Sequence, residues 1–176
     1  NWITNSILFS PKKTVYYNKD KELHREDGPA RMIQLSKHNK AVEYYINGKL
    51  HRENGPARIS TTGDEIVHKW YNNGVLYREN DKPTIVIFDT STNEHTDQYM
   101  ISSGQLHREN GPAIIRYRKD VIEEMQWYTN GNLNRLDGPA VIYSSGLTYY
   151  YIKGIPLKKE EFYDEKARER KLHNYF

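Results

Sequence analysis

An arginine recurs at nearly constant spacing through this 176-residue sequence, and it is the most regular candidate for chemistry in the chain. Each copy lies in a short motif whose fullest form, Leu-His-Arg-Glu-Asn-Gly-Pro-Ala, occupies Leu50–Ala57 and Leu106–Ala113. The motif begins with a leucine that returns every 26 to 30 residues, which indicates a repeat architecture. We number the repeats one to five by their arginines, which are Arg25, Arg52, Arg78, Arg108 and Arg135.

Two interpretations of this arginine column are open. The guanidinium groups could form a ladder that binds phosphates or an acidic partner. Alternatively, each arginine could pair with a carboxylate of its own or a neighbouring repeat and stack on a tyrosine. We favour the second interpretation, because a position that recurs in every repeat normally serves the fold of the repeat. It predicts that Arg52 and Arg108 are held by carboxylates or backbone carbonyls within the protein.

The residue before the arginine is a histidine in only three of the five repeats, since Tyr77 and Asn134 replace it. A metal site needs several ligands that converge with defined geometry, and single histidines spaced one per repeat do not supply them. No nucleophile, base and orienting group form a recognisable set either. We therefore predict no metal, no cofactor and no enzymatic activity. The exceptional segment is repeat three, where Asp81-Lys82 replaces the glycine and adds a residue.

The elements that position these residues are predicted to be β-hairpins. An aromatic strand precedes each motif, at Val42–Ile46, Val67–Asn72, Asp97–Ser102, Met125–Thr129 and Thr148–Ile152. Tight turns follow at Asn47-Gly48, Asn73-Gly74, Ser103-Gly104 and Asn130-Gly131, and Asn-Gly is a strong hairpin signal. The return strand then meets Gly-Pro, which breaks the ladder of hydrogen bonds, and a second short strand begins after the bend.

Alternation along that second strand predicts which side is buried. One column is apolar in every repeat and is the predicted core ladder: Met32, Ile59, Val86, Ile115 and Ile142. The opposite column starts polar and becomes apolar, which predicts that the later repeats are covered: Arg31, Arg58, Ile85, Ile114 and Val141. Counted back from the turns, two aromatic columns face opposite sides. One contains Tyr44, Trp70, Met100, Trp127 and Tyr150, and the other Tyr45, Tyr71, Ile101, Tyr128 and Tyr151.

The sequence thus predicts an all-β fold, an elongated array of hairpin repeats that form a continuous sheet and end in a capping helix. A lead-in strand occupies residues 1–13, five to six repeats occupy 14–157, and a helix occupies 158–176. The helix is predicted over Lys158–His173, which lacks glycine and proline and offers Phe162, Tyr163, Ala167 and Leu172 as an apolar stripe.

Composition restricts the function further. The formal net charge of +3 permits an anionic partner without indicating one, and the absence of cysteine excludes disulfides and thiolate sites. Absence of cysteine also fits a reducing compartment, so we predict an intracellular, cytoplasmic location. No apolar run approaches the length of a membrane helix, so we predict no membrane partner.

The segment Tyr44–Ala57, Tyr-Tyr-x-Asn-Gly-Lys-Leu-His-Arg-Glu-Asn-Gly-Pro-Ala, resembles the MORN-like variant repeats of large DNA viruses and some bacteria. The resemblance covers about residues 14–157, and Gly154–Phe162 is similar to the terminal segment of such proteins. It implies a sheet of hairpins used as a binding scaffold, and a virus-encoded protein located in the host cytoplasm or the virion. It implies no catalytic activity.

We therefore predict a non-enzymatic scaffold that binds a partner protein. The predicted binding residues are large amphipathic aromatics and their polar neighbours, since such residues dominate interfaces: Tyr44, Trp70, Trp127, His51, His107, Arg31 and Arg58. One alternative is a nucleic-acid-binding module in which rings stack on bases and Arg or Lys hold phosphates. Another is a carbohydrate-binding surface.

Overall fold

The computed structural model describes residues 10–101 and 103–175, and the chain divides into two compact units, Asn1–Val75 and Leu76–Phe176. The fold is all-β with a short helical C-terminus, so the predicted array of hairpins is confirmed. Most of the predicted lead-in strand lies outside the described residues, and the first described strand begins at Lys12.

Unit one contains a continuous antiparallel sheet of five strands in the order β1-β2-β3-β6-β7. Their bounds are Lys12–Val15, Arg31–Gln34, Asn39–Glu43, Arg58–Thr62 and Glu65–Lys69. Two-residue strands form short hairpins beside this sheet. They are β4 (Tyr45–Ile46), β5 (Lys49–Leu50), β8 (Tyr71–Asn72) and β9 (Val75–Leu76), and the boundary between the units falls within β9.

Unit two contains an antiparallel sheet of seven strands in the order β10-β11-β12-β13-β16-β17-β18. Their bounds are Ile85–Asp89, Glu94–Gln98, Ile114–Arg118, Val121–Gln126, Val141–Tyr143, Thr148–Ile152 and Ile155–Leu157. A short hairpin pairs β14 (Tyr128–Thr129) with β15 (Asn132–Leu133). The last strand ends at Leu157, where the predicted repeats also end.

The structure corrects which hairpin is the main one. The Asn-Gly turns close hairpins only two residues long, in which Tyr45 pairs with Leu50. The long ladders instead join each strand after the Gly-Pro bend to the next aromatic strand through the polar loops, as in β6–β7. The aromatic strand of repeat two is interrupted at Tyr44, between β3 and β4, where Tyr44 N donates to Ala57 O and Tyr44 O accepts from His51 N, whereas the last aromatic strand, β17, is continuous. Repeats two, three and five therefore each contribute two strands of the main ladders and one two-residue hairpin, and a single bridge takes the place of that hairpin in repeats one and four.

The predicted core ladder shares one face of the sheet within each unit. Met32, Val42 and Ile59 are cross-strand partners in unit one, where Met32 and Ile59 are half-buried. In unit two Val86 and Ile115 are 8% exposed and Ile142 is half-buried. The most completely buried positions were not predicted as core: the alanines that follow each Gly-Pro, Ala30, Ala57, Ala113 and Ala140, are 0% exposed.

The opposite face changes character between the two units. In unit one its central rung is ionic, with the order Arg31, Glu43, Arg58 across three strands. In unit two the equivalent rung reads Ile85, Gln98, Ile114, Gln126 and Val141 across five strands. Its aliphatic members are 5–7% exposed, so the prediction that the later repeats are covered on this face is confirmed.

Two helices, not one, follow the last strand: α1 (Lys159–Tyr163) and α2 (Glu165–His173). Asp164 separates them, since its carboxylate accepts a hydrogen bond from Ala167 N at 3.0 Å and so begins a new helix. Phe162 is 2% exposed and packs in a cluster with Tyr150, Ile152 and Leu157, while Leu172 contacts that cluster. The C-terminal segment thus covers the last repeat, although Tyr163 of the predicted stripe is exposed.

Candidate binding surface

The arginine column is built into the repeat by ring stacking. In repeat two the Arg52 guanidinium lies over the Tyr44 ring, 3.9 Å from its centroid. The same stacking holds in repeat four at 3.7 Å and in repeat five at 4.0 Å, on Tyr99 and Trp127. Stacking on an aromatic face is favourable for a planar guanidinium and leaves its edge free for hydrogen bonds.

In repeats two to five the edge of the guanidinium donates to the carbonyl of the motif proline, which precedes a buried alanine or, in repeat three, the buried Thr84. Arg52 Nη1 lies 3.3 Å from Pro56 O, and the equivalent bonds to Pro83, Pro112 and Pro139 measure 3.1–3.3 Å. The prediction that Arg52 and Arg108 are held inside the protein is therefore confirmed. The backbone carbonyl at the proline position thus faces the arginine of the same repeat.

The motif glycine makes room for the guanidinium on the side opposite the ring. A Cβ at Gly55 would lie 3.1 Å from Arg52 Cζ, and one at Gly111 would lie 3.2 Å from Arg108 Nη1. Both glycines also have positive φ angles, 141° and 152°, which side chains rarely allow. The arginine is thus held between an aromatic ring and a glycine, and we call this arrangement the arginine sandwich.

The histidine column links one repeat to the next. His51 Nδ1 accepts a hydrogen bond from Asn73 N at 3.2 Å, which lies in the turn of the following repeat. His24 and His107 accept from Asn47 N and Asn130 N in the same way, at 3.1 and 3.2 Å. Asn134 replaces the histidine in repeat five, and its side-chain oxygen accepts from Lys153 N at 2.9 Å. In repeats one, two, four and five this position therefore supplies a hydrogen-bond acceptor to the turn that follows.

The sequence alignment of the aromatic columns is wrong by one residue in repeat four. Tyr99, not Met100, occupies the position of Tyr44, because Tyr99 N bonds to Ala113 O and Tyr99 O accepts from His107 N. Met100 instead pairs with Leu106, as Tyr45 pairs with Leu50. The physical reason is a turn that is one residue longer, closed by the bond from Gly104 N to Ile101 O at 2.9 Å.

Carboxylates complete most of the sandwiches, and they are not the glutamates that adjoin the arginines. Arg25 Nε donates to Asp27 at 2.7 Å, and this hydrogen bond lowers the pKa of the Asp27 carboxyl. Arg135 bonds to Asp137 in the same way at 2.8 Å. The segment inserted in repeat three supplies the equivalent group to repeat four, since Arg108 donates to both oxygens of Asp81 at 2.8–3.1 Å.

A second charged cluster occupies the ionic rung of unit one. The Glu43 carboxylate is 2% exposed and accepts a hydrogen bond from Arg31 Nε, while Arg58 Nε lies 3.4 Å from its other oxygen. Tyr45 joins the cluster through its hydroxyl, which lies 3.3 Å from Arg31 Nη2, and burial raises the pKa of this tyrosine. A related cluster in unit two pairs the buried Glu124 with Arg116.

The structure gives all seven predicted binding residues contacts inside the chain. Tyr44 and Trp127 lie under arginines, His51 and His107 accept from turns, and Arg31 and Arg58 contact Glu43. Trp70 packs edge-on against His68 with 6.0 Å between ring centroids. Of the seven, only Tyr44 and His51 lie in one concave surface. Charged residues that the alternation of strand residues did not identify also line this surface.

That concave surface is a cleft of about 710 Å³ in unit one, between the arginine sandwiches of repeats one and two. Tyr44, Ile46 and His51 contribute its rings and apolar surface. Three carboxylates line its rim, those of Glu26, Asp27 and Glu53, and the first two are 86% and 82% exposed. A cleft of this size can enclose a few residues of a peptide.

Within the described part of the chain, no group of three His, Asp or Glu side chains is arranged to hold a metal ion. Neither described helix has the length and hydrophobicity that crossing a membrane requires. A scan against protein-family models and a search of curated proteins found no match to this chain.

Proposed function

We propose that the chain is a non-enzymatic β-repeat scaffold that binds a partner protein, with the cleft of unit one as its main contact surface. The observation that supports this most directly is the shape of that cleft, in which two consecutive motifs bring Tyr44, Ile46 and His51 beside exposed carboxylates. Aromatic and aliphatic surface within a charged rim is the usual composition of a protein-binding site.

The internal use of the charged columns also supports a scaffold. The stacked arginines and the turn-bonding histidines stabilise each repeat and its neighbour, as the bonds to Pro56 and Asn73 illustrate. The side chain that follows the arginine is an exposed glutamate in repeats one to four, so a partner is selected by carboxylates and by the shape between repeats. These groups repel phosphates, which weighs against the nucleic-acid alternative.

The test is affinity capture with the purified chain, followed by direct binding of the captured protein in recombinant form by calorimetry. We expect the double variant Glu26→Lys/Glu53→Lys to bind at least about tenfold more weakly, because it reverses the charge on the cleft rim. Glu79→Lys/Glu109→Lys is the matched control, since it changes the same motif position in repeats three and four, away from the cleft.

Equal binding by the wild-type chain and both double variants would place the partner elsewhere and contradict the cleft assignment. If no captured protein binds the purified chain directly, the scaffold proposal is wrong. Capture of nucleic acid with a steep dependence on salt concentration would support the nucleic-acid alternative instead.

A further inference from the structure

Arg52 has the same sandwich as Arg25, Arg108 and Arg135 but lacks their carboxylate. Its ring stacking at 3.9 Å and its bond to Pro56 O match the pattern of repeats four and five. In those repeats, and in repeat one, a carboxylate also lies 2.7–3.1 Å from the arginine Nε. Among residues 10–101 and 103–175, no carboxylate forms an ion pair with Arg52, whereas Arg25, Arg108 and Arg135 each have one.

The sequence explains the difference. Asn54 stands where repeats one and five have Asp27 and Asp137, so repeat two cannot supply its own carboxylate. Repeat four has an asparagine at this position too, Asn110, but there the inserted Asp81 reaches Arg108 from the preceding repeat. Repeat one carries no such insertion, and its Asp27 bonds to its own arginine.

The unfilled edge of Arg52 belongs to the cleft of unit one. Arg52 and Asn54 both line it, together with His51 and the carboxylates of Glu53 and Asp27. A guanidinium has five N–H donors, and the one hydrogen bond described for Arg52 uses Nη1. A ligand in the cleft can therefore reach an arginine edge that the same fold fills with a carboxylate in three other repeats.

We propose that Arg52 is a carboxylate-binding subsite, which takes an Asp or Glu side chain from a partner protein. The three internal pairs act as templates, because each shows an aspartate oxygen bound to the Nε edge of a stacked arginine. The exposed carboxylates of Glu26, Asp27 and Glu53 surround this subsite and favour basic residues on either side of the bound acid. The partner segment therefore carries one acidic residue between basic ones. This inference rests on the proposed function and deepens it.

The test follows the Arg52 Nε–Hε signal by NMR while acetyl-Lys-Asp-Lys-amide is added to the full chain. The signal is assigned by its loss in Arg52→Lys. We expect it to shift with the Asp peptide, and acetyl-Lys-Asn-Lys-amide to bind about tenfold more weakly, because only a carboxylate adds the attraction of an opposite charge to the hydrogen bond.

Asn54→Asp provides the decisive variant, since it copies repeats one and five and places an internal carboxylate on Arg52. We expect this variant to be folded, to melt no lower than wild type, and to lose the response to the Asp peptide. Asn110→Asp is the matched control: it makes the same change where Asp81 already occupies the arginine, so its response should equal that of wild type.

Equal binding of the Asp and Asn peptides, or an unchanged response in Asn54→Asp, would overturn the subsite. Tighter binding of inorganic phosphate than of the Asp peptide would overturn the choice of a carboxylate. The experiments can contradict the subsite proposal and the scaffold proposal independently of each other. A captured partner protein that binds Asn54→Asp as well as wild type would contradict the subsite alone, whereas a chain that responds to the peptide but captures no protein would contradict the scaffold alone.

Discussion

At the scale of single residues, the motif is explained by one guanidinium and the groups around it. The ring below Arg52, the glycine above it and the proline carbonyl at its edge each correspond to one recurring letter of the repeat. The remaining edge is filled by the motif aspartate in repeats one and five, and by the inserted Asp81 in repeat four. Recurrence of the arginine therefore indicates a structural function, as the sequence predicted, and the repeat that lacks the carboxylate is the one in which we propose binding.

The glycine can be tested directly. Gly55→Ala places a Cβ about 3.1 Å from the Arg52 guanidinium at a φ of 141°, so we expect it to destabilise the chain by about 2–3 kcal/mol. Gly63→Ala is the control, because its φ of 61° is also positive but no atom lies within 4 Å of its Cβ, and it should cost only about 1 kcal/mol. Urea denaturation measures both, and equal losses would mean that the guanidinium contact is unimportant.

The histidine position can be tested with a substitution that the chain already contains. His51→Asn should keep nearly full stability because Asn134 bonds to the next turn in the same way, whereas His51→Leu should cost about 1 kcal/mol by leaving Asn73 N without its acceptor. Thermal and urea denaturation of the two variants decide the matter. If His51→Asn is as destabilised as His51→Leu, the acceptor function is wrong.

The aspartates of the sandwich predict a dependence on pH. The bond from Arg25 lowers the pKa of Asp27, so the pair stabilises the native chain above the pKa of the unfolded carboxyl, and this contribution is lost as pH falls through the lower native pKa. Asp27→Asn should therefore melt slightly below wild type at neutral pH, with the difference disappearing in strong acid. A difference that persists at the acidic end would show that the loss has another cause.

At the scale of strands and helices, the sequence predicted the type of most elements but not their partners. The Asn-Gly turns at Asn47, Asn73 and Asn130 have the expected positive φ angles, since two-residue hairpins require them. Pairing of the long strands could not be predicted, because the polar loops carry weaker turn signals than Asn-Gly. The histidine links could not be predicted either, since each joins residues 22 or 23 positions apart in sequence.

The ionic rung of unit one can be tested by replacing its three residues with those of the equivalent rung in unit two. Glu43→Gln should lower the free energy of unfolding by about 3 kcal/mol. This is the lower end of the range for breaking a buried ion pair, because the Arg58 side chain is 42% exposed. The triple variant Arg31→Ile/Glu43→Gln/Arg58→Ile copies the rung Ile85, Gln98, Ile114 of unit two and should recover that loss. Urea denaturation gives both values, and a triple variant less stable than Glu43→Gln would contradict the equivalence of the rungs.

The helical cap predicts a large effect from one side chain. Phe162→Ala removes a ring that is 2% exposed and 4.9 Å from the Tyr150 ring, so we expect a loss of about 3 kcal/mol. Leu136→Ala, at a position 70% exposed in the same unit, should change stability by less than about 0.5 kcal/mol. A small effect at Phe162, measured by chemical denaturation, would mean that the last repeat does not depend on its cap.

At the scale of the whole molecule, stability is distributed through contacts between neighbouring repeats. Gly48, Gly74, Gly131 and Gly154 each donate their amide to the leucine carbonyl of the preceding repeat at 2.8–2.9 Å. Gly104 donates instead to Ile101 within its own turn. Because Tyr77 also replaces the linking histidine of repeat three, the contact between repeats three and four differs from the others within unit two.

Native-state hydrogen exchange should detect this difference. We expect the Gly104 amide to exchange faster than that of Gly131, since opening one turn releases the first while the second requires two repeats to separate. Comparable protection of the two amides in exchange followed by NMR would show that the junction after repeat three is as stable as its neighbours.

The links between repeats also bear on how such a chain can change in length. Except at the junction of repeats three and four, the leucine carbonyl and the side-chain acceptor of one repeat bond to two amides in the turn of the next, as Leu50 and His51 do for Gly74 and Asn73. A duplicated segment of one period therefore arrives with its own connectors, and it adds two antiparallel strands without reversing the direction of those that follow. Gene duplication can lengthen the array one repeat at a time, and in a copy without an inserted aspartate an exchange of Asp for Asn removes the carboxylate that the arginines of repeats one and five bond.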